Sequence, residues 1–162
     1  MNIRVLGIDP AVAVTGYGVV EPVSDRPGHL IECGVLRTDP KQEMGHRLEI
    51  VYDGVSELIA RHQPTTIAVE SIFYRKNVKT TVSLGQVRGV VLLAAAQAGV
   101  ELAEFSPATV KKCIVGEGGA VKQQVAYMVQ QLLRLKQPPK PSDAADACAI
   151  ALTYLLSSRV RA

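Results

Sequence analysis

The sequence has no tryptophan, and only two of its 162 residues are phenylalanine. The core therefore has to be built from valine, isoleucine, leucine and alanine. Hydrophobic residues make up 48% of the chain and charged residues 20%, which excludes an intrinsically disordered chain because such chains are poor in apolar residues. The length is that of one domain, so we expect residues 1–162 to form a single domain.

Cysteine and histidine are also scarce and scattered. The three cysteines show no CxxC spacing, which argues against a zinc site and against a disulfide framework, so we expect buried free thiols at Cys33, Cys113 and Cys148. The three histidines do not group either, and we interpret them as satisfied or solvated surface side chains: His29, His46 and His62.

Long hydrophobic runs are missing as well. The most apolar stretch, Val90 to Ala98, is too short to cross a bilayer, and Arg88 comes just before it. The first ten residues, MNIRVLGIDP, hold only a short apolar run and lack the pattern of a signal peptide. We therefore expect a soluble, cytoplasmic protein with no membrane partner.

The charge is distributed unevenly along the chain. Residues 1–70 contain 6 Lys+Arg and 10 Asp+Glu, a net charge of −4, whereas residues 71–140 contain 10 and 3, a net charge of +7. A basic middle segment indicates an anionic partner such as nucleic acid. A solvated lysine face is the alternative explanation.

The first seventy residues carry four predicted strands. Three of them, at 3–9, 14–21 and 29–37, are joined by short links, which predicts an antiparallel meander. Apolar residues at helical spacing then predict a helix over 43–62, ended by Pro64, before a fourth strand at 66–70. A helical crossover of this kind joins parallel strands, so we expect the fourth strand to lie beside the first. Asp9 and Glu70 would then close neighbouring strands at the same edge of the sheet.

The remainder of the chain is predicted to be mostly helical. We expect a helix over 80–98 with Gly99 after it, a fifth strand at 101–105, and a helix starting at Ser106–Pro107. A further helix is predicted over 121–136. The last predicted helix begins after Ser142, which would be the N-cap of that helix. The predicted fold class is therefore α/β, with a five-stranded mixed sheet flanked by helices.

Two aspartates in the last predicted helix, SDAADACAIAL, are the most informative feature of the sequence. Asp143 could simply complement the helix dipole, but Asp146 lies too far into the helix for that explanation. Residues three apart share a helix face, here among alanines. Together with Asp9 and Glu70 they form a set of carboxylates that suits a hard divalent cation, Mg²⁺ or Mn²⁺. Such clusters serve phosphoryl-transfer chemistry with two ions about 4 Å apart.

Six segments, in this order, resemble the RuvC-type Holliday junction resolvases: GIDP with VTGYGVV, VESIFYRKN, LGQVRGV, VKKCIVGEGGAVKQQV and DAADACAIA. The resemblance covers about residues 5 to 153. It implies an RNase H-like fold, a homodimer, and Mg²⁺-dependent cutting of four-way DNA junctions that leaves 5′-phosphate and 3′-hydroxyl ends. It also implies two Mg²⁺ ions per subunit, with Mn²⁺ as a substitute, and a branch-migration motor complex as a partner.

The resemblance assigns roles residue by residue. It places the catalytic, metal-binding carboxylates at Asp9, Glu70, Asp143 and Asp146, the last of which is sometimes histidine in the family. The family's basic residues near the scissile phosphate match Lys111 and Lys122. A lysine at a predicted helix N-terminus opposes the helix dipole, so a phosphate partner explains Lys122 better than a structural role does.

The segment IFYRKN, which begins two residues after Glu70, combines two aromatics with two cations and suits a contact with an unpaired base and with phosphate. We assign DNA binding to Phe73, Tyr74, Arg75 and Lys76, with Phe73 as the base-stacking residue that the resemblance implies. Core packing of Phe73 is the alternative. The chain departs from the family at residues 11–13, where Ala-Val-Ala replaces the usual glycine and nearby basic residue, which puts a DNA contact there in question.

Three features of the sequence allow alternative interpretations. The small residues Gly85 and Gly89 in the helix 80–98 suit either packing on the sheet or the dimer interface that the resemblance implies. A non-catalytic junction-binding protein would share the same basic segment. An ATP-binding domain of the actin and sugar-kinase type has a strand and turn similar to residues 7–16, although it needs two such halves.

Overall fold

The computed structural model describes residues 3–71 and 76–161, with side chains as far as Ser158. This part of the chain forms a five-stranded mixed sheet of order β3-β2-β1-β4-β5. The first three strands are antiparallel neighbours, whereas β4 runs parallel to β1 and β5 parallel to β4. The predicted α/β class, meander and parallel crossover are confirmed. The strands are β1 (Val5–Asp9), β2 (Val14–Val23), β3 (Arg26–Arg37), β4 (Thr66–Glu70) and β5 (Glu101–Phe105).

Helices cover both faces of the sheet and create two hydrophobic layers. Successive strand residues point to opposite faces, so Leu6 and Ile8 pack against the first two helices while Val5 packs against the last three. Valine, isoleucine, leucine and alanine supply nearly all of the buried side chains, as the composition requires. The helices are α1 (Met44–His62), α2 (Val78–Ala98), α3 (Pro107–Val115), α4 (Lys122–Leu133) and α5 (Ser142–Arg161).

Several predicted boundaries were wrong, and local contacts explain why. Helix α4 ends at Leu133 instead of 136 because Arg134 takes the left-handed conformation, at φ 53°, and its guanidinium donates to Asp25 Oδ2 at 2.6 Å. Helix α2 begins two residues early because the Asn77 side chain accepts a hydrogen bond from the Thr80 N–H and caps it. Strands β2 and β3 are longer than predicted, since a bulged ladder continues their pairing to the hairpin turn.

The cysteine prediction was only partly right. Cys148 is buried, but Cys33 and Cys113 are partly exposed. Cys33 lies on the edge strand β3 and Cys113 on the short helix α3, which explains their incomplete cover. The surface prediction was wrong for His62, which is buried because α1 packs on the sheet, although its side chain is satisfied by a 2.7 Å hydrogen bond with Glu32.

Helix α2 is long and apolar enough, by length and composition alone, to cross a membrane: it has 21 residues and a mean hydropathy of 1.2. One of its sides belongs to the hydrophobic layer that it forms with α1, through Val87, Val91 and Ala95. Arg88 on the same helix pairs with Glu104 of β5. These contacts make α2 a packed element of the fold.

Three glycines set the distance between α5 and the sheet. Gly7 of β1 lies opposite Gly18 of β2, and Gly16 lies opposite Asp9 in the same ladder. A Cβ atom at Gly7 would stand 2.1 Å from the Ala147 carbonyl oxygen of α5, and one at Gly16 would stand 2.0 Å from the carbonyl oxygen of Asp143. The backbone of α5 therefore rests directly on the strands. We call Gly7, Gly16 and Gly18 the glycine seam.

We predict that Gly7→Ala lowers the free energy of unfolding by about 1–3 kcal/mol, the usual cost of overpacking a core. The reason is that the added methyl group meets the backbone of α5, which cannot move aside. Gly45→Ala is the matched control, since Gly45 lies in α1 with no atom within 4 Å of the added Cβ, and alanine favours a helix. Urea denaturation measures both. Equal stability of the Gly7→Ala protein and the native protein would contradict the close packing of the seam.

Candidate active site

Four carboxylates meet at one edge of the sheet. Asp9 is the last residue of β1 and Glu70 the last of its parallel neighbour β4, so both lie at adjoining carboxyl ends. Helix α5 adds Asp143 and Asp146 from its first two turns. One carboxylate oxygen from each of the three aspartates lies within 4.8 Å of the others. Glu70 lines the same pocket as Asp9 and Asp146, so the structure brings all four predicted carboxylates together.

The glycine seam is the local reason for this arrangement. Paired residues of antiparallel strands point to the same face, so the Asp9 carboxylate emerges beside the bare backbone of Gly16. The first turn of α5 fills the space that a side chain at Gly16 would take. Gly7, Gly16 and Gly18 were not predicted from the sequence to be positioning residues. The signal was available: glycines at alternate positions of VTGYGVV face an alanine-rich helix.

Burial and mutual repulsion weaken the acidity of the cluster. Burial raises the pKa of Asp9 to about 8, with a further contribution from the negative charges of Glu70, Asp146 and Asp143. Burial also raises the pKa of Asp146, although Lys122 opposes the change. Asp9 therefore retains its proton at neutral pH unless a cation compensates the charge.

Two lysines reach this cluster from the neighbouring helices. Lys122, the first residue of α4, places its Nζ 3.2 Å from Asp146 Oδ2, and the charge of Asp146 raises the pKa of the lysine. Lys111 of α3 lines the same pocket, and its positive charge also opposes the rise in the pKa of Asp146 that burial causes. The pocket is open and has a volume of about 350 Å³. Both predicted phosphate-contacting lysines therefore stand at its wall.

The remaining predicted DNA contacts, Phe73 to Lys76, follow β4 in the sequence. Phe73, Tyr74 and Arg75 lie outside the described residues. Lys76 is exposed just before the N-cap of α2, away from the hydrophobic layers.

The departure at residues 11–13 forms an ordered turn. Thr15 accepts a hydrogen bond from the Ala11 N–H and donates one to the Ala11 carbonyl at 2.6 Å. Val12 packs against the layer beside α1 and α2. The turn is thus stabilised by the Ala11–Thr15 hydrogen bonds and by the packing of Val12.

The donor set fits a hard divalent cation. Carboxylate oxygens are the ligands that Mg²⁺ and Mn²⁺ prefer, and three of them already lie close enough to share an ion. Lys122 Nζ pairs with one oxygen of Asp146. Asp9, Asp143 and Asp146, with Glu70 at the rim, are the residues that could hold such an ion.

The sheet order, the mixed strand directions and the acidic edge define an RNase H-like protein. The family model for the crossover junction endodeoxyribonuclease RuvC matches residues 5–154. A RuvC from Pelotomaculum thermopropionicum is 45% identical over 150 residues, covering 93% of this chain and 91% of the relative. One from Natranaerobius thermophilus is 44% identical and covers 97% of each chain. The chain belongs to the RuvC family of crossover junction endodeoxyribonucleases.

Solved structures agree with this assignment. Thermus thermophilus RuvC in complex with a Holliday junction substrate is 36% identical, with a TM-score of 0.92, and the match covers 98% of this chain and 96% of that one. The yeast mitochondrial Holliday junction resolvase Ydc2 is 15% identical, with a TM-score of 0.70 and coverage of 98% and 82%, and it shares the fold. The expected RNase H-like fold and the family resemblance are confirmed.

We predict that Asp9→Asn makes the metal-free protein more stable, and increasingly so as the pH rises. Unfolded Asp9 ionises near 3.8, whereas folded Asp9 holds its proton to about pH 8. Between these values the folded state binds more protons than the unfolded state, so native stability falls as the pH rises. Asparagine does not ionise and removes this loss.

Thermal unfolding in EDTA at pH 5, 6.5 and 8 measures the effect, since 1 kcal/mol shifts the Tm of a domain of this size by about 2–4 °C. The advantage of the Asp9→Asn protein should grow from pH 5 to pH 8. Asp53→Asn, at an exposed position on α1, is the control and should give no such trend. A difference in Tm that does not vary with pH would contradict the burial of the Asp9 charge.

Proposed function

We propose that this chain resolves four-way DNA junctions by metal-dependent hydrolysis of phosphodiester bonds, in recombination and DNA repair, and leaves 5′-phosphate and 3′-hydroxyl ends. The observation that carries the proposal is the carboxylate cluster beneath a pocket with two lysines, in a chain of the RuvC family. The family assignment also favours a nuclease over an ATP-binding domain.

Mg²⁺ is the proposed cofactor, two ions per subunit, with Mn²⁺ as a substitute. When bound, the ions supply Lewis acidity that activates a water molecule and stabilises the leaving oxygen. Asp9, Glu70, Asp143 and Asp146 are the proposed ligands. Their clustering supports this role, because such concentrated negative charge is costly to bury without a cation.

The lysines complement the carboxylates. A phosphate that enters the pocket brings negative charge, and Lys122 can then exchange its Asp146 partner for a phosphate oxygen, since its side chain is 69% exposed. Lys111 offers a second positive charge on the opposite helix. Phe73, Tyr74, Arg75 and Lys76 complete the proposed DNA-contact set, with Phe73 stacking on an opened base.

Two sites are needed because resolution of a four-way junction requires cuts in two strands. We propose a homodimer that nicks two strands of like polarity, one per subunit. The outer face of α2 supports this proposal. Val82 and Leu93 are 55% and 51% exposed, and a Cβ atom at Gly85 or Gly89 would meet nothing within 4 Å. This exposed apolar face lies on the layer of the sheet opposite α4 and α5.

The proposed function also includes a domain organisation, a location in the cell and a partner complex. Residues 1–162 act as a single nuclease domain in the cytoplasm, and a branch-migration motor complex moves the junction that the dimer cuts. The relatives named crossover junction endodeoxyribonuclease support the substrate class.

We predict that Asp9→Asn, Glu70→Gln and Asp143→Asn each slow junction cutting by about 100- to 1,000-fold or more, the range for loss of a group that stabilises transition-state charge. Junction binding should remain largely intact, since affinity comes mainly from basic contacts to the DNA backbone. Cleavage and gel-shift assays on a synthetic four-way junction, with linear duplex as the comparison substrate, measure both quantities.

Asp53→Asn is the matched control and should cut at the native rate. Normal cutting by the Asp9→Asn protein would remove that residue from the site. Binding without any Mg²⁺- or Mn²⁺-dependent cutting by the native protein would favour a non-catalytic junction-binding protein instead.

We predict that Val82→Glu weakens dimerisation by at least about tenfold, which corresponds to 1.4 kcal/mol, because a charge would be buried in the subunit interface. Tyr127→Glu is the control, since Tyr127 is 58% exposed on α4 in the other layer. Sedimentation equilibrium gives both dissociation constants. A native protein that stays monomeric at micromolar concentration, or a Val82→Glu protein with native dimer affinity, would contradict this interface.

A further inference from the structure

Two cysteines distant in sequence meet where α5 crosses the glycine seam. Cys33 of β3 lies opposite Gly18 of β2, so its side chain shares a sheet face with the missing side chain of Gly18. Cys148 of α5 fills that space, since a Cβ atom at Gly18 would stand 2.6 Å from the Cys148 Sγ. Cys33 packs against the same hydrophobic layer, which contains Cys148.

The two thiols differ in access. Cys33 is partly exposed, whereas Cys148 is fully buried behind it. The neighbouring Cys148 thiol lowers the pKa of Cys33, which favours the thiolate, the reactive form. Burial raises the pKa of the third cysteine, Cys113, which has no other cysteine beside it among the described residues. A reagent from solvent therefore meets Cys33 first, with Cys148 in place to resolve the product.

We propose that Cys33 and Cys148 form a reversible intramolecular disulfide, a redox modification site that ties β3 to α5 beneath the carboxylate cluster. Hydroperoxides are the proposed oxidants. The Cys33 thiolate attacks one peroxide oxygen, the O–O bond breaks, and the leaving oxygen takes a proton, which gives a sulfenic acid. The Cys148 sulfur then attacks the Cys33 sulfur, the S–O bond breaks, and the hydroxyl leaves as water with the proton of Cys148. Two electrons pass from the thiols to the peroxide, and a small dithiol reverses the reaction by exchange.

The bond has a consequence for the site. A disulfide needs an S–S distance of about 2.05 Å, which is much shorter than a non-bonded contact between two free thiols, so the two elements must approach each other. Cys148 follows Asp146 by two residues on α5, and the helix rests directly on the seam. A displacement of about 1 Å in a catalytic group can cost about 100-fold in rate. Oxidation should therefore slow cutting, an effect that rests on the proposed function, whereas formation of the disulfide does not.

The test begins with chemistry alone. The reduced full-length protein is treated with hydrogen peroxide, alkylated, digested without reductant and mapped by mass spectrometry. We expect a Cys33–Cys148 crosslink with a loss of two hydrogens and an alkylated Cys113, and full recovery of three alkylated cysteines after dithiothreitol. The Cys113→Ala protein should behave in the same way, and the Cys33→Ala protein should yield no crosslink. Cys33 found only as sulfinic acid, or only bonded to a second chain, would overturn the proposal.

The functional arm uses the same samples. Oxidised native protein should cut the junction at least about tenfold more slowly than the reduced form and recover with dithiothreitol, while the Cys33→Ala protein should cut equally well in both states. A crosslinked protein that cuts at the full rate would overturn the coupling to α5. If the crosslink forms but the reduced protein does not cut at all, the proposed function fails and the redox site stands.

Discussion

The close approach of α5 to the sheet is the constraint on which the site depends. Three glycines remove the side chains that would normally separate a helix from the strands, and the helix backbone fills the vacated space. Because Gly16 pairs with Asp9, the place of closest approach is also the place where the first carboxylate emerges. The catalytic geometry that we propose is thus a direct result of backbone packing, in which Ala144, Ala147 and Ala151 of the helix are buried against the glycines.

The carboxylate cluster lowers the stability of the folded protein, whereas the packing of α5 and the sheet raises it. Two hydrophobic layers hold the sheet from both sides, and they bring together carboxylates whose burial and mutual repulsion raise the pKa of Asp9 far above its ordinary value. A cation bound in the pocket would relieve the same repulsion, so binding of the proposed metal would stabilise the folded protein. Lys122 on α4 relieves only part of it, because its own side chain is 69% exposed to solvent, which weakens the interaction.

Much of the site could be predicted because strand ends and helix periodicity are local signals. The ends of the strands 3–9 and 66–70 placed Asp9 and Glu70 on one edge, and spacing along the last helix placed Asp143 beside Asp146 on one face. The distance between helix and sheet could not be predicted in this way, since it depends on which glycines lie beneath the helix. The contact between Cys33 and Cys148 was missed for the same reason, and the end of α4 because Arg134 reaches across to Asp25.

The most direct test of this account is the Mn²⁺ affinity of the Gly16→Ala protein, measured by isothermal titration calorimetry at pH 8 beside the native protein. Circular dichroism would first establish that the variant is folded. The added methyl group meets the Asp143 carbonyl at 2.0 Å and must move the start of α5. We predict that Mn²⁺ affinity falls by at least about tenfold, or 1.4 kcal/mol, while the secondary structure persists. Native affinity in a folded Gly16→Ala protein would contradict the claim that the glycine seam positions the carboxylates.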